Sequence, residues 1–270
     1  MIDMLGFLFA VYGVVCYAIF FVTFLYAIAF VEGIGVPKTI DSGAAGPIVP
    51  ALVVDAALLA LFAVQHSLMA RPFFKRGWTR IVPPPIERST FVLFASLALI
   101  GLFIWWRPLP QTIWSLLPTW SAGAVTALSL AGFGLVLAST FLISHFELFG
   151  LKQVYDRLRG RRPSAPEFRT PGPYKLVRHP LYLGFIVAFW ATPRMSLGHL
   201  VFAIATTAYI LIAIQLEEHD LTTVFGERYR TYRRQVGMLT PRITGAKSAG
   251  SSLPRVLNEA ERRSLGVNNR

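Results

Sequence analysis

The chain has 270 residues, of which 54% are hydrophobic and only 15% charged, whereas a soluble domain carries about 25% charged residues. The net charge of +12 would suggest nucleic acid in a soluble protein, but here the basic residues cluster between long apolar runs, which points to anionic lipid headgroups and topology setting instead. The single cysteine, Cys16, lies inside an apolar run and excludes a disulfide framework or a cysteine metal site.

The N-terminal Met1-Ile2-Asp3-Met4 lacks a basic region, and the apolar run after it is too long for a signal peptide, so the first segment is predicted to be a retained span. A membrane helix needs about 20 mostly apolar residues. Runs at 7–31, 48–70, 90–106 and 122–146 predict four spans. The region 181–216 is too long for one span, and Thr192-Pro193-Arg194 interrupts it where proline favours a break. A helical hairpin is expected there. The predicted fold class is all-α, a polytopic membrane helical bundle of four spans plus a C-terminal helical hairpin. Three parts follow: a transmembrane bundle over 1–150, a loop, hairpin and terminal helix over 151–242, and a Ser/Gly/Arg-rich tail over 243–270 predicted to be disordered.

The loop after the second run holds Arg71, Lys75, Arg76, Arg80 and Arg88. The loop after the fourth holds Lys152, Arg157, Arg159, Arg161, Arg162, Arg169, Lys175 and Arg178. The alternate loops hold only Lys38, Arg107 and Arg194. The positive-inside rule then places both termini and both basic loops in the cytoplasm, which requires the fifth region to cross out and back.

Ionisable residues at membrane depth are costly and are functional candidates by default. Gln65-His66-Ser67, followed by Arg71, reads either as a span end meeting interfacial water or as the wall of a pocket; Asp55 lies deeper. In Ser144-His145-Phe146-Glu147, the two ionisable residues sit two apart and point to different helix faces. The third group is the richest. Pro171-Gly172-Pro173-Tyr174 and Arg178-His179-Pro180-Leu181-Tyr182-Leu183-Gly184 open the hairpin. Glu217-Glu218-His219-Asp220 and Phe225-Gly226-Glu227-Arg228-Tyr229-Arg230-Thr231-Tyr232 follow it. The hairpin brings Arg178 and His179 close to Glu217 and Glu218. One glutamate can pair with Arg178 and the other can hold a cationic ligand group or a ribose. Pro180 suits a first helical turn, whose N–H groups suit an anion. The arrangement is either an interfacial charge network that anchors the hairpin or a site for a ligand with one anionic and one cationic end.

The combined motif, from Arg178-His179-Pro180-x-Tyr182-x-Gly184 through Glu217-Glu218-x-x-Leu221 to Phe225-Gly226-x-x-Tyr229-x-x-Tyr232, resembles the isoprenylcysteine carboxyl methyltransferase and phospholipid N-methyltransferase superfamily over about 170–241. Gln65-His66-Ser67-Leu68-Met69-Ala70-Arg71-Pro72, Val82-Pro83 through Glu87-Arg88-Ser89, and His145-Phe146-Glu147-Leu148-Phe149-Gly150-Leu151 resemble the bacterial methanethiol S-methyltransferase family. That resemblance implies an enzyme of a bacterial inner membrane that moves a methyl group from S-adenosylmethionine to methanethiol, with membrane lipids as its surroundings and neither nucleic acid nor metal as a partner. It also implies that Tyr174, Arg178, His179, Tyr182, Gly184, Glu217, Glu218, Tyr229 and Tyr232 lie at or near the cofactor. By charge, Arg178 and His179 would face its carboxylate and a glutamate its ammonium or ribose. A thiol reacts as its thiolate, so a proton acceptor or a cation is expected, with His66, Arg71 and His145 as catalytic candidates. Isoprenylcysteine or phospholipid amine acceptors, a nicotinamide-dependent membrane reductase and a non-enzymatic membrane protein remain alternatives.

Overall fold

The structure, a computed structural model, describes residues 3–116, 119–162 and 167–242. The predicted disordered tail at 243–270 therefore lies outside the described residues. Among those residues the chain forms α1 (Met4–Glu32), α2 (Ile48–Ala70), α3 (Pro72–Trp78), α4 (Pro84–Trp105), β1 (Thr112–Ser115), α5 (Trp120–Ile143), α6 (His145–Leu148), α7 (Leu151–Leu158), α8 (Pro180–Trp190), β2 (Arg194–Ser196), α9 (Leu197–Phe225) and α10 (Glu227–Gln235). Five of these helices, α1, α2, α4, α5 and α9, are long and apolar enough to cross a membrane. The chain is an all-α polytopic membrane protein in which the four predicted runs and the second hairpin arm supply the long helices.

The hairpin is asymmetric. Its first arm, α8, has 11 residues and reaches about 16 Å, which is too short to span; its second arm, α9, has 29 residues and reaches about 43 Å. The chain recovers the missing depth by pairing β2 antiparallel with β1, with Thr112 opposite Ser196 and Ser115 opposite Arg194. These strands were not expected from the sequence. Nearby backbone closes the same end of the bundle: the Leu197 N–H donates to Gln111 O and the Gly198 N–H to Leu109 O. Asp55 belongs to this structure, since its Oδ1 accepts the Arg107 N–H at 2.8 Å. Ser196 caps α9 by accepting the His199 N–H at 3.0 Å.

The opposite end carries the N-terminus and the basic segments. Asp3 caps α1 and pairs with Arg157 at 2.6 Å, which fixes α7 beside the start of α1. The fourth run is shorter than predicted. Residue 144 breaks the helix with φ 175° and ψ 79°, so His145 starts a new short helix instead of ending a span at 146.

The short arm α8 packs along α5, and two glycines allow it. A Cβ on Gly132 would lie 2.7 Å from Gly184 O, and one on Gly184 would lie 2.6 Å from Gly132 O. Helix backbones meet here with no room for a methyl group, a form of packing common between membrane helices. Gly184 thus has a packing role at the helix crossing, beside the place near the cofactor that the motif implies. Gly184→Ala should lower stability by about 1–3 kcal/mol through overpacking, read as a drop in thermal midpoint in detergent; an unchanged midpoint would mean that α8 can move away from α5 at no cost.

Candidate functional site

The hairpin returns the chain to the basic end, where one buried carboxylate gathers two arginines and a histidine. Glu218 is 3% exposed and Arg178 7%. Arg178 Nε donates to Glu218 Oε1 at 2.7 Å, His179 Nε2 donates to the same oxygen at 3.1 Å, and Arg233 Nε forms an ion pair with Oε2 at 3.0 Å. Arg178 also gives Nη1 to Val236 O at 2.5 Å and Arg233 O at 3.1 Å. A buried ion pair survives only when its remaining donors and lone pairs are satisfied, and these bonds do so. Glu217 is different. Its side chain is 42% exposed, and its Oε2 lies 4.0 Å from His179 Nδ1. The adjacent glutamates divide their work: Glu218 is spent on protein cations, and Glu217 stays open.

Two further segments brace this cluster. After α9, Gly226 turns the chain with φ 56° and ψ −130°, backbone geometry reserved for glycine. The turn lays α10 back on the loop before α8. Tyr229 and Tyr232 are buried beneath it, and the Tyr232 hydroxyl donates to Tyr174 O at 2.6 Å. Burial raises the phenols of Tyr174 and Tyr229 and pushes Tyr232 up to about 12, so all three remain protonated donors near neutral pH. The Tyr229 hydroxyl is buried with no hydrogen-bond partner among the described residues. Beyond α10, the chain returns alongside 177–179: the Arg178 N–H donates to Gly237 O at 2.8 Å and the His179 N–H to Met238 O at 3.2 Å.

A second wall comes from α2, which packs on α9. Ser67 donates its hydroxyl to the Tyr209 oxygen at 3.3 Å, and Arg71 pairs with Asp220 at 2.8 Å while reaching back to Ser67 O. The His66 ring sits between Phe62 and Phe91, with centroids 5.2 and 4.9 Å away, and Phe62 in turn touches Tyr209. His66 Nδ1 is buried without a partner among the described residues. The Tyr182 phenol, near the start of α8, interacts with Glu217, Tyr209 and Arg71, which joins the two walls.

His145 lies elsewhere. The hydroxyl hydrogen of Thr140 goes to Leu137 O at 2.7 Å, so toward His145 Nδ1, 2.8 Å away, that hydroxyl can only accept. His145 therefore carries its proton on Nδ1, and its Nε2 accepts the Tyr17 hydroxyl at 2.8 Å. With its ring stacked on Phe141 at 4.0 Å, both nitrogens are occupied in holding α1 against α5 and α6. None of its ring or hydrogen-bond partners belongs to the Arg178–Glu218 cluster or to the His66 wall. Burial holds the imidazole below its ordinary range. The unfolded chain therefore binds the proton first, and the stability contributed by neutral His145 is complete above the ordinary histidine value and lost as pH falls through the depressed one. Thermal midpoints should fall with acidification below about pH 6.5, and this slope should flatten in His145→Phe; an identical slope in the variant would refute the assignment.

The sequence motifs thus meet as two walls at one end of the bundle, with Tyr174, Arg178, His179, Tyr182, Glu217, Glu218, Tyr229 and Tyr232 on one side and His66 and Arg71 on the other. Sequence reasoning missed Arg233, one of four arginines in α10, and the backbone bridge between Gly237 and Val177. A Cβ on Gly237 would collide with Thr240 O, and that lone glycine was the available signal. It also missed Tyr209, about two turns before Glu217 on α9, and gave no role to Asp220, about one turn after it.

No family model matches the chain, and no solved structure matches it. Methanethiol S-methyltransferase 1 of Bradyrhizobium diazoefficiens is 56% identical over 85% of this chain and 81% of its own length. Methanethiol S-methyltransferase of Mycobacterium tuberculosis is 53% identical over 86% of this chain and 95% of its own. Nurim of Bos taurus is a more distant relative, 31% identical over 63% of this chain and 68% of its own. With more than half of the matched residues identical over most of both chains, the protein belongs to the methanethiol S-methyltransferase family.

Proposed function

We propose that the protein methylates methanethiol to dimethyl sulfide, with S-adenosylmethionine as the donor, at the cytoplasmic end of a bundle in a bacterial inner membrane. The observation that carries this reading is the division of labour between adjacent glutamates, within a family whose relatives are named for that reaction. The donor is amphoteric, and the residues present suit it. Glu217 offers an open carboxylate for an ammonium or ribose. The first turn of α8, opened by Pro180, offers N–H groups for a carboxylate. Tyr229 holds a buried hydroxyl with no protein partner. Arg178, expected at the donor carboxylate, instead clamps Glu218, α10 and the returning chain, so its part is to fix the site's shape. When bound, the donor supplies an electrophilic methyl group on a sulfonium.

The acceptor side needs a thiolate. His66 is the residue best suited to take the thiol proton, because its Nδ1 is buried and unclaimed and its ring is held in place by Phe62 and Phe91. Arg71 is less suited, since Asp220 already partners its charge; it ties α2 to α9. His145, with both nitrogens occupied, acts as a brace. The apolar rings of Phe62 and Phe91 around His66 suit a reaction in which a thiolate and a sulfonium neutralise each other, because few waters then have to reorganise. The cytoplasmic orientation rests on the positive-inside rule, with Arg71, Arg88 and Arg157 at one end of the bundle.

Calorimetry on the purified protein with S-adenosylhomocysteine and, separately, with NADPH tests the donor. Saturable binding of S-adenosylhomocysteine without binding of NADPH is the expected outcome. The reverse pattern would replace methyl transfer by reduction.

A further inference from the structure

The exposed face of α10 is built from arginine, and it forms a concavity. A cavity of about 390 Å³ is lined by Thr222, Arg230, Arg233, Arg234 and Arg242. The counter-charges nearby are too few. Glu227 takes Arg234 at 2.6 Å and Arg230 at 3.6 Å. Glu218 takes Arg233 but is already committed to Arg178. Arg242 donates to the Arg234 carbonyl and has no ion pair among the described residues. Five guanidiniums therefore share two carboxylates, and four of the five face one hollow. Scattered surface arginines would simply be solvated. Converging ones repel one another, and an anion relieves that repulsion. Arginine's planar fork matches a phosphate group, which it can hold through paired N–H bonds.

The level of the cavity in the fold is also informative. The apolar part of α9 ends near Leu216, and α10 begins at Glu227 after the turn at Gly226. The hollow lies just past the apolar span, where lipid headgroups sit. Thr222 spends its hydroxyl on Glu218 O, so recognition falls to the arginines. We propose that this concavity binds a phosphate group, carried by an anionic phospholipid headgroup or by a soluble phosphate. The site stands back to back with the Glu218 cluster and shares Arg233 with it, so occupancy would also steady α10 over Tyr229 and Tyr232. The inference does not depend on the identity of the methyl acceptor.

Phenylglyoxal modification of the full-length protein, read arginine by arginine by peptide mass spectrometry, tests it. The reference is protein in a phosphate-free maltoside micelle; one arm adds phosphatidylglycerol and another adds inorganic phosphate. Modification of Arg234 and Arg242 should slow by about tenfold in at least one arm, the scale of one charge-assisted bond, while exposed Arg80 reacts unchanged. Slowing by phosphatidylglycerol alone identifies a lipid headgroup, and slowing by inorganic phosphate identifies a soluble ligand. In Arg242→Ala, the protection of Arg234 should weaken while S-adenosylhomocysteine binding persists. Equal rates in all three conditions, or slowing of Arg80 to the same extent, would overturn the proposal.

Discussion

Glu218→Ala should abolish binding of S-adenosylhomocysteine and lower stability by about 3–5 kcal/mol, the usual cost of removing one partner from a buried ion pair. The magnitude follows from what is left behind. Arg178 is 7% exposed and would keep its charge with two carbonyls for company. His179 would lose its bond at 3.1 Å and Arg233 its ion pair at 3.0 Å. These three residues come from the loop before α8, the start of α8 and α10, so their release loosens every segment that shapes the site. Glu218→Gln keeps the volume and one acceptor oxygen but not the charge, and should fall between wild type and alanine in both thermal midpoint and affinity. Glu217→Gln provides the contrast. Its side chain is half-exposed and pairs with no arginine among the described residues, so it should weaken binding while leaving the thermal midpoint within about 0.5 kcal/mol of wild type. Equal stability losses at 217 and 218 would contradict the division of roles between the two glutamates.

His66→Ala should keep donor binding and lose turnover, by about a hundredfold to ten-thousandfold, the range for removal of a positioned general base. The residual rate should climb with pH, because hydroxide in solution then forms the thiolate that the imidazole no longer generates. The same substitution at His145 should cost stability with little change in the pH dependence of turnover, since that ring bonds Tyr17 and Thr140 and touches neither wall. Headspace gas chromatography of dimethyl sulfide across a pH series separates the two. A wild-type pH profile in His66→Ala would remove the residue from the chemistry.

The site was legible in the sequence to the extent that it is local or depends on one topological step. Arg178-His179-Pro180 and Glu217-Glu218 announce themselves as charges flanking an apolar region, and Thr192-Pro193-Arg194 marks the break that must fold one pair onto the other. Which glutamate would be buried was not legible. Adjacent residues point to different sides of a helix, and only the packing of α10 decides which side is inside. Arg233 and the backbone pairing at 237–238 were missed for a related reason: they act through backbone return after Gly226, and polar sequence around them carries no apolar period to show it. The β1–β2 pair was hidden because three- and four-residue strands leave too short a pattern to read. The end of α5 was overrun because the apolar run continues to Phe146, while the break at Ser144 serves to aim His145 at Tyr17. The packing role of Gly184 was not legible because a motif glycine can face a ligand or a helix, and spacing alone does not distinguish them.

The proposed activity is transfer of a methyl group from a sulfonium donor to a small thiol. It is tested most directly by incubating the purified protein with S-adenosylmethionine labelled in its methyl group, together with methanethiol, a phospholipid amine and a prenylcysteine in parallel, and following where the label goes. The structure and family predict labelled dimethyl sulfide in the headspace, formed mole for mole with S-adenosylhomocysteine, and no label in either lipid acceptor. Label in a lipid acceptor with none in the headspace, or no transfer to any acceptor, would contradict it.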